Sequence, residues 1–220
     1  MPSSPVLACC SVGDFDPRSL VAVRKAFEAF TPVTFAQSWR TSPEPAFAGG
    51  AVRVGRRQQS LVVLAELDDA DIFTRATDHN GAFWELGDTF EIFLRPVDQS
   101  AYVELHVTPN NLRLHLRFPS AEWLASTPAH EVFSSALRNP HAFRSETWIE
   151  LQEHRWSVLA EIPASVVFDN DRPLDATEWL WSFSRYDYTR DRVEPVISST
   201  SPHAMPSFHR QQEWGRMHFR

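Results

Sequence analysis

The chain has 220 residues and a formal net charge of −7, from 21 Lys and Arg against 28 Asp and Glu. An acidic chain argues against nucleic acid, whose phosphates require a basic surface, and no apolar run approaches the roughly 18 residues of a membrane span. Only 7 residues are glycine, which argues against a phosphate-binding loop, while 16 Phe and 8 Trp make the chain rich in aromatic side chains. These numbers favour one globular domain over residues 1–220.

The N-terminal residues show no export signal. Met1 to Pro5 carries no positive side chain, and the apolar stretch that follows is short. The two cysteines, Cys9 and Cys10, are adjacent, so no spaced disulfide framework is present. We therefore expect a cytoplasmic protein, or a secreted or periplasmic one if a leader has been removed.

The predicted secondary structure is one helix followed by strands. Apolar residues recur at helical spacing from Asp16 to Phe30, which predicts a helix with Asp16 or Ser19 as its N-cap and Pro32 after its end. Strands are predicted at Ser60–Leu67, Thr89–Arg95, Ala101–Thr108, Leu112–Phe118, Thr147–Leu151, Trp156–Ile162, Trp179–Tyr186 and Met217–Phe219. The first of these (SLVVLAEL) carries a continuous apolar run, which is typical of burial on both faces. The pattern predicts an all-β fold, a two-sheet antiparallel β-sandwich of jelly-roll or immunoglobulin-like type with a short N-terminal helix.

Three consecutive strands in the middle of the chain place polar side chains on one predicted sheet face. If they pair in sequence order, alternate residues face the core and the others face outward. The predicted outward set is Glu91, Phe93, Arg95, Tyr102, Glu104, His106, Arg113, His115 and Arg117. Such a face is either a solvated surface held by cross-strand ion pairs or a platform for a polyhydroxyl ligand. Trp84, in the preceding loop, could stack on a sugar ring or simply cover the core.

Several segments, in this order, resemble a known family. They are Asp68–Ile72 (DDADI), Asn80, Trp84–Pro96 (WELGDTFEIFLRP), Tyr102–Glu104 (YVE), Trp156–Pro163 (WSVLAEIP), Trp181–Tyr186 (WSFSRY), Pro206–Arg210 (PSFHR) and Glu213–Phe219 (EWGRMHF). From about Trp39 to the C-terminus, the ordered set resembles the family 9 carbohydrate-binding modules and their stand-alone relatives.

The resemblance implies a β-sandwich that binds sugars in a slot between two aromatic side chains, in some members with structural calcium. On matching positions, it implies that Trp84 stacks on the sugar and that Glu91, Arg113 and Arg185 are polar contacts. It thus predicts a non-catalytic protein that holds a mono- or oligosaccharide by stacking and bidentate hydrogen bonds.

Two positions depart from the family's pattern. Ser182 replaces an expected Asn, which removes an amide able to donate and accept at once. Thr200 occupies the place of a Trp that would form the second wall of the slot, and Trp214, in place of Phe, is expected to pack. We expect the fold to tolerate these changes, so the resemblance supports the fold more strongly than it supports sugar binding. An interaction module that kept the fold and lost the sugar is therefore an alternative.

Two other kinds of site are compatible with the sequence. Glu91 and Glu104 share a predicted face and could serve as the carboxylate pair of a glycoside hydrolase, whose carboxyl groups lie about 5–9 Å apart. Asp68, Asp69 and Asp71 offer oxygen ligands for structural calcium, although Asp-rich turns usually hold no ion. Otherwise we expect no cofactor. The predicted partner is a carbohydrate, with neither nucleic acid nor a membrane, and a protein partner or a fused enzyme stays open.

Overall fold

In a computed structural model of the chain, residues 4–168 and 171–220 are described. The strands are β1 (Val6–Cys9), β2 (Val33–Thr34), β3 (Gly50–Arg57), β4 (Ser60–Asp68), β5 (Thr89–Pro96), β6 (Tyr102–Val107), β7 (Arg113–Phe118), β8 (Arg144–Glu150), β9 (Arg155–Pro163), β10 (Trp179–Asp187), β11 (Val196–Ser199) and β12 (Gly215–Phe219). The α-helices are α1 (Leu20–Phe27), α2 (Ala121–Ser126), α3 (Ala129–Ala136) and α4 (Ala164–Val167). None of the helices in these ranges is long and apolar enough to cross a bilayer.

The strands form two packed sheets. The larger sheet has the order β1-β12-β10-β5-β6-β7, with β11 also paired to β10, and the smaller sheet has the order β2-β3-β4-β9-β8. Neighbouring strands run antiparallel, except that β1 and β12 are parallel. The predicted β-sandwich is confirmed, and so is the pairing of β5, β6 and β7 in sequence order.

Strand β4 is buried on both faces, as its apolar run predicts. Leu61, Val63, Ala65 and Leu67 pack between the two sheets, where each large aliphatic side chain contributes about 1.5–3 kcal/mol by leaving water. Val62 and Leu64, which alternate with them, belong to a smaller apolar cluster beneath helix α1. The central strand of the smaller sheet thus belongs to two apolar layers at once.

Helix α1 begins after the predicted Asp16 because Ser19 caps it, and it ends at Phe27, before the predicted Phe30. The Ser19 side chain accepts a hydrogen bond from the Ala22 backbone N–H at 3.3 Å. Asp16, the other predicted cap, instead accepts from the Arg18 backbone N–H at 3.0 Å in the turn before the helix. Val23 is fully buried against the smaller sheet.

The outer face of the larger sheet is covered, so of the two interpretations of this face the solvated surface is wrong. Helices α2 and α3, the turn at Phe83–Glu85 and residues 203–214 pack over it around a second apolar cluster. Glu91 is 3% exposed, Glu104 5% and His106 0%. The strand pattern could not reveal this cover. A strand whose outer face carries a few polar side chains shows the same alternation whether helices or water cover that face.

The predicted faces of β7 are also exchanged. Its apolar residues lie opposite polar or aromatic residues of β6, in the pairs Tyr102↔Phe118, Glu104↔Leu116 and His106↔Leu114. Directly opposed residues point to the same side, so Arg113, His115 and Arg117 face the other way. They reach backbone carbonyls at the sheet edge: Arg113 donates to Phe143 at 2.7 Å, and Arg117 donates to Val167 at 2.7 Å.

Candidate functional site

A cleft of about 380 Å³ lies between the larger sheet and its covering helices. Glu91, Phe93 and Glu104 form its floor on β5 and β6. Trp84 and Phe133 form part of its wall, the latter contributed by α3. The cleft therefore joins an aromatic wall to a floor that carries two carboxyl groups.

Trp84 is held in place by a short 3-10 turn. Phe83 is fully buried beneath the turn, and the Trp84 carbonyl accepts a hydrogen bond from the Tyr188 hydroxyl at 2.5 Å. The half-buried Trp84 ring meets Phe133 with centroids 5.6 Å apart and planes at 76°. It also meets the His106 ring edge-on at 5.8 Å. The two aromatic rings form a corner, and they are not the parallel walls of a slot.

Two carboxyl groups and an imidazole meet at the floor. His106 Nε2 lies 2.6 Å from Glu104 Oε1 and 3.2 Å from Glu91 Oε1. The second oxygen of each carboxyl group is buried and has no hydrogen-bond partner among the described residues. His106 therefore contacts both carboxyl groups, and each carboxyl group keeps one oxygen without a hydrogen bond.

Their surroundings give the two carboxyl groups different pKa values. Burial raises the pKa of Glu91 well above its ordinary value of 4.5, and the charge of Glu104 raises it further. Burial also acts to raise the pKa of Glu104, but the hydrogen bond from His106 and the neighbouring imidazole charges outweigh it and lower that pKa. The pair therefore favours one proton on Glu91 and a charge on Glu104.

The imidazole of His209, from the segment before β12, completes the floor of the cleft. His209 Nε2 lies 3.4 Å from Glu104 Oε2, and His209 Nδ1 lies 2.9 Å from the Tyr102 hydroxyl. Burial lowers the pKa of His209 below its ordinary value, against the attraction of Glu104. The sequence places Glu104 and Tyr102 on this face, but only the fold brings His209 to them.

Compared by sequence alone, the chain matches no family model and no curated protein. Compared by structure, it is similar to a proposed carbohydrate-binding protein from Bacteroides uniformis, with a TM-score of 0.76, 18% identity and coverage of 99% of this chain and 100% of that one. It is also similar to a family 9 carbohydrate-binding module from Caldicellulosiruptor kristjanssonii. The cellotriose complex of that module gives a TM-score of 0.64 at 13% identity, covering 99% of this chain and 94% of that one.

The glucose complex of the same module gives a TM-score of 0.64 at 12% identity, covering 99% of this chain and 96% of that one. The chain has the fold of a family 9 carbohydrate-binding module. At these identities the similarity shows a shared fold only. The function of the cleft must be argued from the residues that line it in this chain.

The family 9 fold brings together only two of the four predicted site residues. Trp84 and Glu91 both line the cleft. Arg113 lies on the opposite face of the larger sheet, where it donates to the Phe143 carbonyl. Arg185 is opposite Phe90 on β5 and therefore also points between the sheets.

Arg185 sits in a buried acidic cluster of its own. It is 0% exposed, and its Nη2 donates to Asp69 Oδ2 at 3.0 Å and lies 3.3 Å from Asp187 Oδ2. Burial raises the pKa of Asp88 to about 8 and that of Asp187 to about 7. Ligand oxygens of Asp69, Asp88 and Asp187 lie within 4.8 Å of one another. The guanidinium thus supplies positive charge to this cluster.

The three aspartates considered as calcium ligands do not converge. Asp68 pairs with Arg155, Asp69 with Arg185, and Asp71 with Arg190. Each carboxylate thus has a different arginine as its partner, and the three do not form a calcium site together.

The two positions that depart from the family's pattern lie in the sheet beside β11. Thr200 Oγ1 accepts a hydrogen bond from the Phe183 backbone N–H at 3.1 Å. Ser182 is buried, with its hydroxyl 3.2 Å from that of Ser199. Trp214 is buried and donates its indole N–H to the Phe208 carbonyl at 2.7 Å, as expected of a packing residue.

The aromatic residue opposite Trp84 could not be predicted from strand patterns. Phe133 comes from α3, one of two short helices between β7 and β8. A helix start was signalled by Ser120, whose side chain caps α2 by accepting from the Trp123 backbone N–H at 3.1 Å. That signal predicts where the helices begin, but it does not predict which surface they cover.

Proposed function

We propose that this chain is a non-catalytic carbohydrate-binding protein that holds a mono- or oligosaccharide in the cleft above Glu91 and Glu104. One observation carries the proposal: the cleft joins an aromatic corner to carboxyl groups that have unsatisfied oxygens. A sugar ring has an apolar C–H face and a rim of hydroxyls, and these two chemistries match the two parts of the cleft.

The size of the cleft and the structural neighbours support the same class of ligand. A volume of about 380 Å³ falls within the roughly 300–1,000 Å³ of small-molecule sites. The Caldicellulosiruptor kristjanssonii module is described in complex with cellotriose and with glucose. We extend carbohydrate as the ligand class from that module to this chain as a proposal.

The proposed contacts divide between stacking and hydrogen bonds. The sugar packs an apolar face against Trp84, whose ring is half-buried at the cleft wall. A protonated Glu91 donates to one hydroxyl, and a charged Glu104 accepts from another. In this proposal the carboxyl pair provides the polar contacts, while Arg113 and Arg185 stabilise the fold from the other face of the sheet.

Hydrolysis is the second candidate, because Glu91 and Glu104 are a buried carboxyl pair of unequal acidity. Their arrangement favours binding over bond cleavage. Both carboxyl groups lie against His106 Nε2, so they stand side by side beneath a ligand, whereas a glycosidase places them on either side of the bond that breaks. A panel of aryl glycosides tests this: product release that disappears in Glu91→Gln would favour the hydrolase.

Isothermal titration against a panel of mono- and oligosaccharides tests the binding proposal. We expect heat with at least one sugar, and a loss of about tenfold or more in affinity for Trp84→Ala. Trp148→Ala is the matched control, because Trp148 is half-buried on β8 of the smaller sheet, outside the cleft. Absence of heat with every sugar, or unchanged affinity in Trp84→Ala, would overturn the proposal and favour an interaction module.

A further inference from the structure

The floor of the cleft holds acidic groups without a permanent cation. Within residues 4–168 and 171–220, the ion-pair partners of Glu91 and Glu104 are the imidazoles of His106 and His209. The other buried acidic cluster differs, because Arg185 lies among its carboxylates. Two buried carboxyl groups without a fixed positive charge must take up a proton or a cation, since burial in apolar surroundings penalises the charged form.

The geometry of the floor suits a metal ion. Glu91, Glu104 and His106 each offer a ligand atom, and these atoms lie within 4.8 Å of one another. Glu91 Oε2 and Glu104 Oε2 are the buried oxygens without hydrogen-bond partners, and both residues line the cleft. Carboxylate oxygen and imidazole nitrogen together form a donor set typical of zinc and neighbouring divalent transition metals.

His209 lies next to this group and supports the Glu104 ligand. Its Nε2 lies 3.4 Å from Glu104 Oε2, while its Nδ1 contacts the Tyr102 hydroxyl at 2.9 Å. Carboxylates that bind a metal ion are commonly held by outer partners of this kind, which fix their orientation. Tyr102 is fully buried and stacks on Phe118 at 4.8 Å, so this support is rigid.

We propose that Glu91, Glu104 and His106 form a binding site for a divalent transition metal ion of the zinc class at the floor of the cleft, with His209 as an outer partner of Glu104. Zinc binds the carboxylate form of Glu91, so the Glu91 proton passes to the buffer, whereas a neutral His106 binds through Nε2 and keeps its ring proton on Nδ1. With the ion bound, Glu91 has no proton to donate, so a contact between the ion and a sugar hydroxyl would replace the contact proposed for Glu91. That role of the ion rests on the proposed function, whereas metal uptake itself does not.

Zinc titration of the chelator-treated, metal-free protein tests the site without any sugar. We expect one ion per chain, a heat of binding that changes with the ionisation enthalpy of the buffer, and a visible absorption band when Co²⁺ replaces zinc. Glu91→Gln and His106→Gln should each weaken zinc binding by about 100-fold or more. Glu178→Gln is the matched control, because Glu178 forms a solvent-exposed pair with His218 at 2.8 Å.

The variants separate loss of a ligand from loss of the fold. Glu91→Gln keeps the side-chain shape and cannot ionise, so we expect its metal-free Tm to equal or exceed that of the wild type. Should it fail to fold, Tyr102→Phe removes only the hydroxyl that contacts His209, and we expect about tenfold weaker zinc binding.

Two outcomes would overturn the metal site: no zinc uptake by the wild type, or equal uptake by the wild type and Glu91→Gln. The sugar titrations, repeated with and without zinc, keep this proposal apart from sugar binding. Zinc uptake without any sugar heat would leave the metal site standing and overturn only the proposed function.

Discussion

Arg185→Met should reduce the free energy of unfolding by about 3–5 kcal/mol, the usual cost of removing one partner from a buried ion pair. The guanidinium is fully buried. It donates to the carbonyls of Asp68 at 2.6 Å and Gly49 at 3.2 Å, and to Asp69 Oδ2 at 3.0 Å, and it lies 3.3 Å from Asp187. Met fills similar space but donates nothing, so two carbonyls lose a donor and the acidic cluster loses its cation.

The loss of stability in Arg185→Met should depend on pH. Burial already raises the pKa of Asp88 to about 8 and that of Asp187 to about 7, from an ordinary value of 3.8. An acid whose pKa is raised by folding stabilises the fold while protonated and loses that stabilisation as pH rises through the folded pKa. Without Arg185 these pKa values should rise further, so the variant should lose less stability at pH 5 than at pH 8.

Urea denaturation at pH 5 and pH 8 measures both effects. Arg155→Met is the matched control, because its pair with Asp68 is 37% and 46% exposed and should contribute about 0–1 kcal/mol. Added Ca²⁺ should raise the Tm of Arg185→Met, since Asp69, Asp88 and Asp187 then lack a cation. A loss below about 1 kcal/mol, or the same loss at both pH values, would refute the reasoning.

Three further predictions concern the cleft and the core. In metal-free protein, Glu91→Gln should flatten the decline of Tm from pH 5 to pH 9, because the raised pKa of Glu91 makes the wild type lose stability as pH rises. Gly215→Ala should cost about 1–3 kcal/mol in urea denaturation, since its Cβ would lie 2.5 Å from two Trp181 ring atoms, whereas Gly13→Ala, with no atom within 4 Å, should cost almost nothing. Phe133→Ala should weaken the proposed sugar binding several-fold by isothermal titration, and unchanged affinity would remove Phe133 from the site.

Local patterns predict this fold well where one physical signal dominates. The apolar run of β4 predicts a strand buried on both faces, and the Ser19 cap predicts the start of α1. Asn111, in the hairpin between β6 and β7, has a φ of 62°, a conformation that Asn tolerates. Such signals act over a few residues and need no knowledge of the rest of the chain.

Alternation assigns the faces of β5 and β6 correctly but reverses those of β7, whose apolar residues face the covering helices. Thr89 to Leu94 of β5 are all buried, and so is every residue of β6, so a covered outer face has apolar positions as an inner face does. For the same reason, the strand patterns could not show which of the predicted site residues lie together. Trp84 and Glu91 share a cleft, but the register that places Arg185 opposite Phe90 depends on strands far apart in sequence.

The topology also determines when the cleft can form. Strand β12, at residues 215–219, lies inside the larger sheet between β1 and β10, although it follows both in sequence. During synthesis, the edge of β10 that it covers therefore stays open until these residues leave the ribosome, and an open edge invites pairing with other chains. His209 and the rest of the C-terminal wall emerge only just before β12, so a nascent chain acquires its cleft and closes its sheet in nearly the same moment.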